Sequence, residues 1–111
     1  TAAIQGKPEA AGFYRRALEI AREQGMNGIV VDVIQGVAGL AAQGGDVTNA
    51  VEWLALAASH PNGEWETKQK ARKALTELEG RLSAEEFSSA QVRGQSAALE
   101  TVIPSVLARL A

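Results

Sequence analysis

Apolar residues recur along this chain at helical spacing, in six runs separated by glycine, proline and short polar stretches. The clearest two flank Gly44-Gly45-Asp46. Before that turn, Ile34, Val37, Leu40 and Ala41 fall on one helical face, and after it Ala50, Val51, Leu54, Ala57 and Ala58 do the same. Glycine supplies the left-handed conformation that ends a helix, and Asp46 or Thr48 can cap the amides that open the next. Residues 31–61 therefore read as two antiparallel helices joined by a tight turn. The second closes at His60-Pro61, because proline cannot continue a helix and disfavours helical geometry before it. Small side chains at Ala50 and Ala57 would let helix backbones approach closely.

The same pattern places the remaining elements. A first helix is predicted over 7–24, with Pro8 at its first position, an apolar face of Ala10, Phe13, Tyr14, Ala17, Leu18 and Ala21, and Gly25 as its stop. A fourth helix is predicted over 64–80, burying Ala71, Ala74, Leu75, Leu78 and Leu82. Ser83 and Glu86 form a capping box that opens a fifth, which is expected to end near Arg93-Gly94. The last, over 97–110, buries Leu99, Val102, Ile103, Val106, Leu107 and Leu110, and Pro104 inside it should kink or split it. With no strand pattern anywhere, the fold class is all-α. About six helices stack as antiparallel pairs in a single domain over 1–111, and the C-terminal helix covers the open end.

The helix before the Gly44-Gly45 turn carries a second pattern. Asp32, Gln35, Gly39 and Gln43 lie at i, i+3, i+7 and i+11, one face of a helix whose other positions, Ile29 to Leu40, are apolar. Such a helix is sandwiched between neighbours with one stripe left wet. Gly36 and Gly39 each cost roughly 1 kcal/mol relative to Ala, which makes sense where a backbone or a ligand comes near.

These residues carry a resemblance. Ala50, Leu54 and Ala57, with Gly45-Asp46 at the turn, resemble a tetratricopeptide repeat, in which the stripe Asp32, Gln35, Gly39 and Gln43 would line the concave binding groove. No large aromatic occupies Ile34 or Ala41, where such repeats often have one. Ala10, Tyr14 and Ala17 repeat the Ala50, Leu54, Ala57 spacing after an offset of 40 residues, longer than the usual ~34. Residues 8–24 then read as the second helix of a preceding repeat, its first helix missing or lying in 1–5, followed by one pair at 27–60 and the C-terminal helices at 64–110. From about Glu9 to Leu110 the chain is similar to the C-terminal end of the sensor region in bacterial signal-transduction ATPases of the STAND type, including regulators related to the maltose-operon activator. The resemblance is strongest in YRRALEIAREQG, GLAAQGGDVTNAVEWLALAASHP and ETKQKARKALTELEGRLSAEEFSSAQVRGQ.

Composition narrows the chemistry. The 111 residues are 46 % apolar and 22 % charged with a net charge of −2, long enough for a core of their own and without the basic footprint that drives nucleic-acid binding. Cysteine is absent, so disulfides and thiolate metal sites are excluded, which fits a reducing, cytoplasmic setting. No apolar run reaches the ~20 residues of a membrane span. Lys and Arg are missing between Glu23 and Glu64 and cluster on either side, as Arg15, Arg16 and Arg22, then Lys68, Lys70, Arg72 and Lys73. Charge runs of this kind usually mark solvated faces.

No catalytic constellation can be assembled. His60, the only histidine, has no partner at i+3 or i+4 and reads as a cap or packing residue. Gly36-Val37-Ala38-Gly39 sits in a helical pattern with no lysine nearby, unlike a phosphate loop. Glu85-Glu86 and Glu77/Glu79 read as solvating. Trp53 reads as core. Trp65, off the buried face of the fourth helix, is either a staple over His60 and Pro61 or a surface aromatic that meets a partner.

The expectation is a non-enzymatic interaction or sensor module without cofactor or metal, cut from a larger protein. Asp32, Gln35, Gly39, Gln43 and Trp65 are its candidate contacts with a protein, a peptide, another domain of the parent chain or a small effector. The resemblance implies a regulatory arm of a multidomain ATPase. The alternative is a stand-alone scaffold or oligomerisation module docking through its apolar C-terminal helices.

Overall fold

The structure, a computed structural model, describes the backbone of residues 2–110 and the side chains of 10–110. Among the described residues the fold is all-α. Its helices are α1 (Ala2–Glu23), α2 (Asn27–Gln43), α3 (Val47–Ser59), α4 (Trp65–Leu78), α5 (Ala84–Ser96) and α6 (Leu99–Leu110), with one 3₁₀ turn, Glu79–Arg81, after α4.

Two turns share one mechanism. Gly25 and Gly45 hold φ of 69° and 91°, a region that costs other residues strain. Each lets the chain fold back on the helix it has left. The Gly25 and Met26 amides donate to the Arg22 and Ala21 carbonyls, and those of Gly45 and Asp46 to Ala42 and Ala41. This paired 5→2 and 6→1 arrangement satisfies carbonyls that a helix end would leave open. Asp46 stands at the start of α3, but its carboxylate does not cap the helix amides. It accepts instead from Asn49 Nδ2 at 2.9 Å and faces Arg109 Nε of α6 at 3.7 Å. The Ser83/Glu86 box is formed, with both bonds at 3.1 Å.

α3 is the centre of the molecule. Ala50, Val51 and every residue from Trp53 to Ala57 are buried, with α2, α4 and α5 packed around them. Contacts near the helix ends fix directions. Thr67 at the start of α4 meets Asp32 early in α2, and Arg81 after α4 reaches the Ala42 carbonyl at the end of α2 at 3.4 Å, so α2 and α4 run parallel. On the other flank, α5 presses Gly94 against the Glu52 carbonyl and Ala55 of α3. α6 returns across α1 and α2, with Leu99, Val102, Ile103, Val106 and Leu110 buried and Arg109 reaching the Gly44–Asp46 turn.

Several expectations need correcting. α1 begins at Ala2, so residues 2–5 belong to it rather than to a separate helix, and Pro8 lies in its second turn, where only one backbone bond is lost. Gly94 does not stop α5, which runs on to Ser96. Pro104 does not split α6: it stands sixth of the twelve residues, on the solvent side, and the helix continues through it to Leu110. Phe13 and Ile29, assigned to buried faces, are 71 % and 44 % exposed; no described helix covers the outer side of α1. Phe13 instead meets the Tyr14 ring edge-on at 5.9 Å.

The two interior glycines of α2 separate cleanly. A Cβ on Gly36 would lie 2.8 Å from the Tyr14 ring of α1, whereas one on Gly39 would have nothing within 4 Å. Gly36 is where a ring comes near, and Gly39 borders open space. Gly39→Ala should therefore raise stability by about 0.5–1 kcal/mol through helix propensity alone. Gly36→Ala should lower it, since Tyr14 must shift to admit the methyl. Thermal melts of the two variants check the contrast.

Candidate functional site

The polar stripe is built by α2. Its opposite side, Val30, Val31, Val33, Ile34, Val37, Ala38 and Ala41, is buried, so the side chains about 180° around the helix must face outward. Asp32 and Gln43 are exposed, and Gln35 and Gly39 half-buried. Asp32 is the most constrained member. Its Oδ1 accepts the Thr67 hydroxyl of α4 at 3.1 Å, and Thr67 itself is 4 % exposed. The stripe is thus bordered along its length by α4. It offers a carboxylate, two primary amides and, at Gly39, a side-chain-free position where a ligand backbone can approach.

Trp65 does not join it. Successive helical residues turn by ~100°, so Trp65 sits about 160° around α4 from Thr67. Thr67 faces α2, and Trp65 therefore points to the flank away from it. At 73 % exposure it is also no staple over His60 and Pro61. The geometry keeps Asp32, Gln35, Gly39 and Gln43 together and sets Trp65 apart. Thr67 is the member that sequence reasoning missed. The signal was its position four residues before Ala71 and eight before Leu75, on the buried face of α4.

His60 closes α3. Its amide donates to the Leu56 carbonyl at 2.9 Å, and its Nδ1 accepts from the Asn62 amide at 3.1 Å. Burial, and after it the positive charge of Lys68, lower its pKa from the ordinary 6.5. The neutral form suits the accepting Nδ1. Since the folded-state pKa lies below the unfolded value, the unfolded chain binds more protons in this window. The stabilisation is complete above pH ~6.5 and is lost as pH falls below it. In His60→Gln, the drop in melting temperature on acidification through that range should be smaller than in the native chain.

Among the described residues, no group of three or more His, Asp or Glu side chains is placed to hold a metal ion, and no helix is long and apolar enough to cross a membrane. No family model matches the chain, and neither does any curated protein or solved structure.

Proposed function

We propose that this domain is a non-catalytic interaction and sensor module, the C-terminal part of a helical-repeat regulatory arm of a multidomain signalling ATPase. The observation that carries the reading is the open polar line on α2, running beside a parallel neighbour with side-chain bonds across at Asp32–Thr67 and Arg81–Ala42. A protein segment, a peptide or a small effector bridging that line and α4 would favour one spacing of the two helices. Packed helices answer such a preference by rigid-body shifts, which is the form of signal a regulatory arm passes on. The resemblance to tetratricopeptide repeats and to STAND sensor regions supports the same reading from the sequence side.

Gly39 supplies the test. Gly39→Glu leaves the fold intact, because the position borders open space, yet it fills the middle of the stripe. In the parent protein the variant should keep its basal nucleotide hydrolysis and lose its response to the inducing signal. An unchanged response would remove the stripe from the account.

The scaffold alternative called for apolar surface on the C-terminal helices. The apolar face of α6 is buried within its own chain, leaving Val92 of α5, 57 % exposed, as the large apolar side chain presented by that region.

A further inference from the structure

The end of the molecule away from the Gly44–Asp46 turn holds a cavity of about 320 Å³. Four parts of the chain build it. The last turn of α1 brings Arg22, the start of α2 brings Asn27 and Val30, the link after α3 brings His60 and Asn62, and the start of α6 brings Leu99, Glu100 and Ile103. Val30, Leu99 and Ile103 are 1 %, 9 % and 4 % exposed and make an apolar floor. Arg22, Asn27, Asn62 and Glu100 are exposed and stand round the rim. Val30 is about 160° around α2 from Asp32, so the cavity lies on the opposite side of that helix from the polar stripe.

The cavity carries one charge of each sign. Among the described residues Arg15, Arg93 and Arg109 are each paired with a carboxylate, while Arg22 and Glu100 are not ion-paired. Two opposite charges that share a cavity without meeting leave room between them for a ligand that carries both signs. His60 adds no third charge at neutral pH, because burial, and after it the nearby Lys68, lower its pKa. Its Nδ1 accepts from the Asn62 amide at 3.1 Å, so the ring proton sits on Nε2, which is a donor. A purely anionic ligand would meet the Glu100 carboxylate, and a purely cationic one the Arg22 guanidinium. Like charge opposes entry in either case. A dipolar ligand with a small apolar body answers the rim and the floor together.

We propose that this cavity binds a free aliphatic α-amino acid, its carboxylate held by the Arg22 guanidinium, its ammonium by Glu100, and its side chain set against Val30, Leu99 and Ile103. A guanidinium grips a carboxylate through charge-assisted, often bidentate hydrogen bonds, which fix orientation as well as add energy. The volume is at the low end for small-ligand cavities, which suits a molecule of this size. A peptide terminus is a poorer fit, since it carries one of the two charges and not the other beside it. The bound amino acid joins the end of α1 to the start of α6 and stabilises the folded domain by mass action. The site is separate from the polar stripe of α2, and either can fail without the other.

The probes are L-valine, L-leucine and L-isoleucine, titrated into the isotope-labelled domain. They should give saturable chemical-shift changes at Asn27, Val30, Asn62, Leu99 and Ile103 and raise the melting temperature. N-acetyl-L-leucine, which lacks the ammonium, and L-leucinamide, which lacks the carboxylate, should each bind at least about tenfold more weakly than L-leucine. Arg22→Gln and Glu100→Gln should weaken amino-acid binding by a similar factor and leave the fold intact, because both side chains are exposed. Three results would overturn the proposal. They are no saturable shift with any of the three amino acids, equal binding of N-acetyl-L-leucine, which would make the cavity a simple carboxylate site, or shifts centred on Gln35 and Gln43, which would place the amino acid on the stripe instead.

Discussion

Replacing Gly94 with Ala should destabilise the domain by about 2–3 kcal/mol, despite gaining helix propensity. The added methyl has nowhere to go. It would overlap the Glu52 carbonyl oxygen of α3 and stand 2.9 Å from the Ala55 Cβ. One obstacle is main chain in the middle of the central helix, so it cannot rotate aside as a flexible side chain would. Relief requires α5 to move away from α3, which opens a tight helix contact and strains the Arg93–Glu52 bond, 3.1 Å long, one residue away. A fall of about 10 °C or more in melting temperature is the expected readout. Gly39→Ala, the same chemical change in α2, should move it slightly the other way, which rules out a generic effect of removing glycine from a helix.

Trp53→Ala should cost more, about 3–5 kcal/mol. The indole is 2 % exposed and is the largest fully buried side chain in the molecule. Its removal leaves a cavity beside α3 that α2 and α4 can close only by collapsing on a helix they both depend on. Trp65→Ala is the matched control. Its ring is 73 % exposed, so the melt should stay within about 0.5 kcal/mol of the native chain. Denaturant titrations of the two variants, read by circular dichroism so that the lost fluorophore does not matter, give both values.

The residues that sequence reasoning placed well are those whose role is local. Helix starts and stops at Gly25, Gly45 and Ser83 follow from backbone geometry within a few positions, and the apolar period of α2 and α3 follows from their own side chains. The failures at Gly94, Phe13 and Asp46 are questions of which helix lies next to which. Gly94 has the sequence appearance of a helix stop, and only the approach of α3 reveals it as a contact. Phe13 has the spacing of a core residue, and only the lack of a neighbour on that side of α1 exposes it. Asp46 is a good helix cap by type, yet α6 brings Arg109 to it from the far end of the chain. In the candidate site, the stripe on α2 was legible because one helix carries all four residues. Thr67 belongs to a different helix 35 positions away, and no periodicity within α2 could announce it. Trp65 was read either as a staple or as a surface aromatic, and its 73 % exposure on the flank of α4 away from the stripe leaves it a surface side chain.

The reading of this domain as the sensor arm of a signalling ATPase is tested most directly by reading the open reading frame that encodes it, upstream of these residues. The account predicts the pattern Gly-x-x-x-x-Gly-Lys-Ser/Thr in a nucleotide-binding domain, followed by further helical repeats that keep the 40-residue spacing between Tyr14 and Leu54. A frame holding helical repeats and no nucleotide-binding domain would contradict it and make the chain a stand-alone adaptor.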